Sequence, residues 1–253
     1  MADKKIGEIK NELKAATDEM LPFFIQNYEI DERDGVKKLV ESAKKRMDKL
    51  AKERLRIHAM LEFERQYPEC EFICGIDEAG RGPLAGPVVA GAVILPKDCE
   101  ILYVNDSKKL SEKKREELYD VIYEKALAVG VGMASPERID EINILQATYE
   151  AMRSAIASCK IMPDILLNDA VTIPDIDIRQ VPIIKGDAKS LSIASASIIA
   201  KVTRDRIMYE YDKEMPEYGF AAHKGYGTAA HIAAIKEYGP SPIHRRSFIG
   251  NFI

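Results

Sequence analysis

Cysteine is scarce and scattered. Four stand in 253 residues, Cys70, Cys74, Cys99 and Cys159, too few for a disulfide framework. Cys70 and Cys74 have three residues between them and no paired histidine, which is poor zinc spacing; a reducing compartment is the expectation. Long apolar runs are missing too. The longest, Val88 to Leu95, is closed by Pro87 and Pro96 and is far too short to span a bilayer. The first twenty residues carry charge throughout and hold no apolar stretch of the secretory kind, so the chain reads as cytoplasmic, with no membrane partner. Nor is there an excess of positive charge: 37 Lys and Arg face 41 Asp and Glu, a net charge of −4. A polyanion would therefore have to be held by a local patch or by metal ions. No GxxxxGK[ST] phosphate loop, internal repeat or low-complexity tract occurs. What is present, 46% hydrophobic and 31% charged residues, is the composition of a globular chain long enough to bury a full core.

Residues 1–70 read differently from the rest. Ile6, Ile9, Leu13, Ala16 and Met20 recur at helical spacing, and Val36, Leu39, Val40, Met47, Leu50, Leu55, His58 and Leu61 continue a second helix after a turn near Asp34-Gly35. Between Arg33 and Arg56 ten Lys/Arg stand against four Asp/Glu, a local +6, whereas residues 1–32 carry four against eight, a local −4. The basic stretch is either a solvated helix face or a nucleic-acid contact. Tyr67-Pro68 marks the boundary, giving a helical extension over 1–70 and a second domain over 71–253.

From Phe72 onward strands and helices alternate. Phe72 to Ile76, Val88 to Leu95, Val129 to Met133, Ile165 to Leu167 and Val181 to Ile184 are short apolar runs bounded by Gly, Pro or acids, hence strands. Ser111 caps a helix to about Ala126, Ser135-Pro136 opens another, and a long helix runs from Leu191 to about Asp212. A glycine loop, Gly225-Tyr226-Gly227, precedes a last helix from Thr228 to about Tyr238. The class is α/β, one mixed central sheet flanked by helices.

Three acidic positions share one context: Asp77-Glu78, Asp169 and Asp187 each follow a strand. Carboxylates at neighbouring strand ends converge on one edge of a sheet, where α/β folds place their ligands. Such a group repels itself unless hard divalent cations, Mg²⁺ or Mn²⁺, are bound. Two ions about 4 Å apart suit phosphodiester hydrolysis. Taken singly, each acid could equally start a turn or cap a helix; the sequence around Asp77 decides otherwise. Residues 75–87 hold four glycines and two prolines, so the backbone turns in ways other residues cannot, or approaches a ligand closely. Its spacing is not the dinucleotide fingerprint. A Gly80-Arg81-Gly82 bend beside the acids offers bare amides, carbonyls and one cation, suited to a sugar hydroxyl and its phosphate. Lys108 and Lys109 follow the acidic Asp106 and Lys189 follows Asp187; with Ser107 and Ser190 they would anchor phosphates, unless they are simply solvated lysines. His223-Lys224 and His244-Arg245-Arg246 are weaker candidates for backbone contact, and Lys201 and Arg204 weaker still.

Taken in order, GIDEAGRGPLAGPVVAGAVIL, NDSKKLS, LLNDA, KGDAKSLSIASASIIAKVTRD and HKGYGT resemble bacterial ribonuclease HII over residues 72 to about 240. The resemblance implies a ribonuclease H-like sheet in which Asp77, Glu78, Asp169 and Asp187 hold two Mn²⁺ or Mg²⁺ ions, Asp77 bridging both. It implies that Gly80, Arg81 and Gly82 read the 2′-hydroxyl through the backbone, and that Tyr226 lies against the following deoxyribose and hydrogen-bonds the same 2′-hydroxyl. A 2′-hydroxyl is what separates RNA from DNA. Asn168 stands where the family commonly has an apolar residue, and Ala170 where glycine is frequent. The sister family, ribonuclease HIII, differs by a glutamate at the last acid and by a β-rich extension; Asp187 and the helical N-terminus speak against it. The resemblance thus implies an endoribonuclease that cuts the RNA strand of RNA–DNA hybrids, and 5′ of single ribonucleotides in duplex DNA, leaving 3′-hydroxyl and 5′-phosphate. We expect it to act as a monomer on a hybrid or a ribonucleotide-containing duplex. The rival readings are a non-catalytic hybrid-binding module with a structural metal, and a DNA nuclease of the same fold.

Overall fold

The computed structural model describes residues 4–252, and the chain divides into two compact units, 1–58 and 59–253. In the first, α1 (Ile6–Ala15), a 3₁₀ turn (Asp18–Met20) and α2 (Leu21–Tyr28) precede α3 (Asp34–Met60). The helix expected to reach Met20 ends earlier. Ala16 and Thr17 are extended, and Pro22, which fits only a first turn, sits at the start of α2. That break turns Leu21 and Phe24 onto Ile9, Val36, Val40 and Ala43, a small core that one straight helix could not close. Among the described residues no helix is long and apolar enough to cross a membrane.

The second unit is built on a five-stranded sheet, β1 (Ile73–Ala79), β2 (Val88–Ile94), β3 (Ala128–Ala134), β4 (Ile165–Asp169) and β5 (Arg179–Ile183), in the order β3-β2-β1-β4-β5. β1 runs antiparallel to β2 and parallel to β4; β2–β3 is antiparallel and β4–β5 parallel, so the sheet is mixed. After α4 (Glu62–Arg65) come α5 (Glu112–Lys125), α6 (Pro136–Ser158), α7 (Leu191–Glu214), α8 (Phe220–His223), α9 (Ala229–Tyr238) and α10 (Arg246–Ile249). Ser111, Ser135 and Thr228 each accept a hydrogen bond at the N-cap of their helix, as their positions in the sequence predict. α6 carries a kink at Asn143, whose φ is 67° and whose side chain caps the amides of Leu145 and Gln146.

Strand side chains alternate between faces. Cys74, Ile76 and Leu166 pack with Ala147, Ala151, Met152 and Ala155 of α6. Ile73, Ile165 and Leu167 pack with Ile193 of α7 on the other face. α7 lies close because β1 presents Gly75 to it, where a Cβ would sit 2.1 Å from the backbone of Ser192. This alternation places Asp77 and Asp169 together: both continue the α7 face, on adjacent parallel strands whose preceding residues, Ile76 and Asn168, are paired.

Candidate active site

Asp77 is 6% exposed. Its Oδ1 accepts the Glu78 amide at 2.8 Å, and the nearby hydroxyl of Ser197 on α7 favours its ionised form. The Ser107 and Ser197 hydroxyls bond each other at 2.9 Å. Asp169 ends β4 and accepts the Gly186 amide at 2.7 Å, which draws the 3₁₀ turn bearing Asp187 to it. Burial holds Asp77 well above the usual carboxylate range, with the charges of Glu78 and Asp169 adding to it. Glu78 is also raised, burial outweighing the pull of Arg81, whose guanidinium stands 3.3 Å away. Asp187 is raised by burial, by Asp169 and by Asp106. Asp169 thus lies within electrostatic reach of the other three acids.

The donors are hard carboxylate oxygens without thiol or imidazole, and burial raises three of the four carboxyls above their ordinary range, a cost that a bound cation would offset. Both features fit divalent Mg²⁺ or Mn²⁺. Among the described residues no three His, Cys, Asp or Glu side chains are already gathered closely enough to hold one ion; the acids form a loose group, not a closed cage.

Beside them a cavity of about 310 Å³ is lined by Glu78, Ala79, Gly80, Arg81, Gly82, Ser107, Lys108, Ser197, Lys201 and Tyr226. Residues 147 positions apart in the chain, Ala79 and Tyr226, thus face one space. The Tyr226 side is held by Thr228, whose amide donates to the Tyr226 carbonyl at 2.8 Å, and the residue is 43% exposed. Lys108 lies near enough to Glu78 and Asp187 to favour their ionised forms.

Other expectations are redrawn. Ser190 is fully buried: its hydroxyl caps α7 at the Ile193 amide and donates to Glu64 Oε1 at 2.7 Å, which removes it from any substrate surface. Ser107 is 4% exposed and its hydroxyl turns inward. Lys189 is exposed beside Asp187. Lys224 is buried, its ammonium over the Tyr209 ring, and Arg204, His244 and Arg245 are buried, so none of these offers a nucleic-acid contact. Three residues at the site carried too little signal in the sequence. Ser197 and Lys201 are one turn apart on α7, a spacing that marks a shared face. Asp106 sits in the NDSKKLS stretch. Lys201 is tied to buried Asp205 at 2.6 Å, and burial lowers its pKa.

Comparison with known proteins bears on family and fold. The family model described as Ribonuclease HII matches residues 74–251, and that described as Ribonuclease HII N-terminal domain matches residues 5–68. The chain is 64% identical over 247 residues to a ribonuclease HII of Lachnoclostridium phytofermentans, covering 98% of this chain and 97% of the relative. It is 53% identical over 255 residues to one of Clostridioides difficile, covering both completely. The crystal structure of ribonuclease H2 from Pyrococcus horikoshii superposes with a TM-score of 0.58 at 30% identity, over 70% of this chain and 93% of that one. A mixed sheet with acids on one face, a glycine bend beside them, and full-length kinship at this level lead to one conclusion: the chain belongs to the ribonuclease HII family.

Proposed function

We propose that this ribonuclease H endonuclease cuts the phosphodiester on the 5′ side of a ribonucleotide paired within DNA, down to a single embedded ribonucleotide, leaving 3′-hydroxyl and 5′-phosphate. The observation that carries the reading is the shared cavity beside Glu78, lined by both the Gly80–Gly82 bend and the exposed Tyr226. Backbone atoms of the bend would bond the 2′-hydroxyl. The Tyr226 ring would lie against the next sugar while its hydroxyl bonds the same 2′-hydroxyl. A single ribose suffices for both contacts. Lys108 and Lys189 supply charge for the flanking phosphates.

Asp77, Glu78, Asp169 and Asp187 would hold two Mg²⁺ or Mn²⁺ ions, Asp77 as the shared ligand. When bound, such ions lower the pKa of water and offset charge on the reacting phosphate. The amide of Glu78 fixes Asp77, and the amide of Gly186 fixes Asp169. These bonds orient the acids before substrate arrives. The four cysteines are unpaired, as the cytoplasm would keep them, and the chain would act there as a monomer.

The N-terminal unit would add affinity. Lys38, Lys45, Lys49 and Lys52 are exposed and fall on one face of α3 at about 100° per residue, a stripe for duplex phosphates. The test of the central reading is an otherwise all-DNA duplex holding one ribonucleotide. Cleavage 5′ of that residue in Mg²⁺ or Mn²⁺ is expected, and Asp77→Asn should abolish turnover while leaving the far-ultraviolet circular dichroism unchanged. An uncut duplex, or an Asp77→Asn variant that cuts normally, refutes it.

A further inference from the structure

Two arginines stand out as cations with almost no access to water: Arg204 is 1% exposed and Arg245 fully buried. Burying a guanidinium costs heavily unless its donors are met, and burial depresses both, Arg245 to about 9. Neither guanidinium's hydrogen bonds go to a carboxylate. Arg245 donates Nε to Gly86 O at 3.0 Å, Nη1 to Arg81 O at 2.8 Å, and Nη2 to both Gly80 O and Gly86 O. Arg204 donates Nε to Pro87 O at 3.0 Å, Nη2 to Ala85 O at 3.0 Å, and Nη1 to Lys224 O at 2.9 Å.

The acceptors define a pattern. Five of the six carbonyls belong to residues 80–87, the bend that carries Gly80–Gly82. The sixth lies two residues before Tyr226. The same two loops are also joined by the backbone, the Leu84 amide donating to Gly225 O at 2.8 Å, and the Arg245 amide adds a bond to Leu84 O at 2.9 Å. Both guanidiniums are near enough to feel the Tyr226 phenol. A lysine could not replace either one, because a single ammonium lacks the planar fork that reaches several carbonyls in fixed directions.

We propose that Arg204 and Arg245 are positioning residues for ribose recognition: without touching substrate, Arg245 holds the Gly80–Gly82 bend to its return at Gly86, and Arg204 ties Ala85 and Pro87 of the same segment to Lys224 at the Tyr226 loop. The proposal rests on the reading of those two elements as the ribose contacts. Its physical content is preorganisation. The pair must grip one sugar from two sides, and a small misplacement at a reacting centre is expensive. The strong cation–carbonyl bonds remove slack that loop backbone alone would keep.

The test is steady-state cleavage of the single-ribonucleotide duplex by Arg245→Lys and Arg204→Lys, with melting curves and amide hydrogen exchange on each. Expected are folded variants whose kcat falls by about ten-fold or more with KM unchanged, since the phosphate contacts are untouched, and faster exchange within residues 80–87 and 224–227. Combined with Tyr226→Phe, either variant should lose less than the product of the single losses, as residues serving one element do. A wild-type enzyme that does not cut this duplex removes the functional reading, and the proposal with it. A wild type that cuts beside a folded Arg245→Lys of equal kcat removes the proposal alone, as would a loss of rate with unaltered exchange or strictly multiplicative losses. If Arg245→Lys fails to fold, Arg204→Lys decides by the same criteria.

Discussion

A Cβ built on Gly80 would lie 2.1 Å from Nε of Arg204 and 2.8 Å from the Pro87 carbonyl, at a φ of +92°, whereas one built on Gly82 meets nothing within 4 Å. Two glycines in one tripeptide therefore answer to different constraints. Gly80 makes room for a buried guanidinium in a conformation other residues avoid; Gly82 faces open space, where only an incoming ligand could require the absence of a side chain. Gly80→Ala should accordingly lower the melting temperature sharply. Gly82→Ala should melt like the wild type yet lose most cleavage of the single-ribonucleotide duplex; normal activity in Gly82→Ala would contradict its contact with the ribose. Ala170, which follows Asp169, occupies the left-handed region with φ at 57°, a conformation that costs an L-residue about 1–2 kcal/mol. Ala170→Gly relieves that strain against glycine's larger unfolded entropy, so a net gain of about 0.5–1 kcal/mol is expected in urea denaturation. No gain would mean the turn is held elsewhere.

At the scale of elements, α9 is joined to the C-terminal segment by a chain of neutral histidines. His231 Nδ1 lies 2.9 Å from the Tyr226 carbonyl and must donate to it, so His231 Nε2 accepts from His244 Nε2 at 3.0 Å. His244 Nδ1 in turn accepts from the amide and hydroxyl of Ser241. A proton added to either ring would set two donors against each other. Burial, then His231, Arg246 and His223, lower His244 to about 4 from an ordinary 6.5, and burial lowers His231 as well. The folded chain thus refuses protons that the unfolded chain accepts below about pH 6.5. Stability is complete above that value and falls as the pH drops toward 4, by up to about 3 kcal/mol for His244. The melting temperature should decline across that window, and His244→Asn, less stable at pH 7.5, should show a shallower decline. An equally steep one would place the sensitivity in other groups. The elements themselves were largely legible. Ser111, Ser135 and Thr228 announced helix starts, and all five apolar runs are strands. The break at Ala16-Thr17 and the kink at Asn143 were not, because hydrophobic period runs through both and only packing distinguishes a bent helix from a straight one.

For the whole molecule, the net charge of −4 conceals a division of labour: acids gather at the sheet, while the lysine stripe of α3 carries the opposite sign. Replacing Lys38, Lys45, Lys49 and Lys52 with Gln should weaken hybrid binding and reduce the slope of log K against log salt by about 0.9 for each lysine that meets a phosphate, with kcat at saturation unchanged. An unaltered slope would make the stripe a solvated face.

The strands and caps were legible in sequence alone, because each depends on residues a few places away, an apolar run or a turn former. The strand ends were not, since β1 and β4 run on past their apolar cores to Ala79 and Asp169, which sets Asp77, Glu78 and Asp169 inside strands rather than after them. Only the tertiary structure decided which charges are buried and which stay exposed. Arg245 looks like part of an exposed basic cluster beside His244 and Arg246, yet it bonds Gly80, 165 residues distant. Ser190 looks like an anchor for phosphate, yet it bonds Glu64, 126 residues distant. Periodicity tells which face of an element is apolar. Whether a polar group on it goes inward depends on a partner able to satisfy its donors there, and that partner is supplied by the fold.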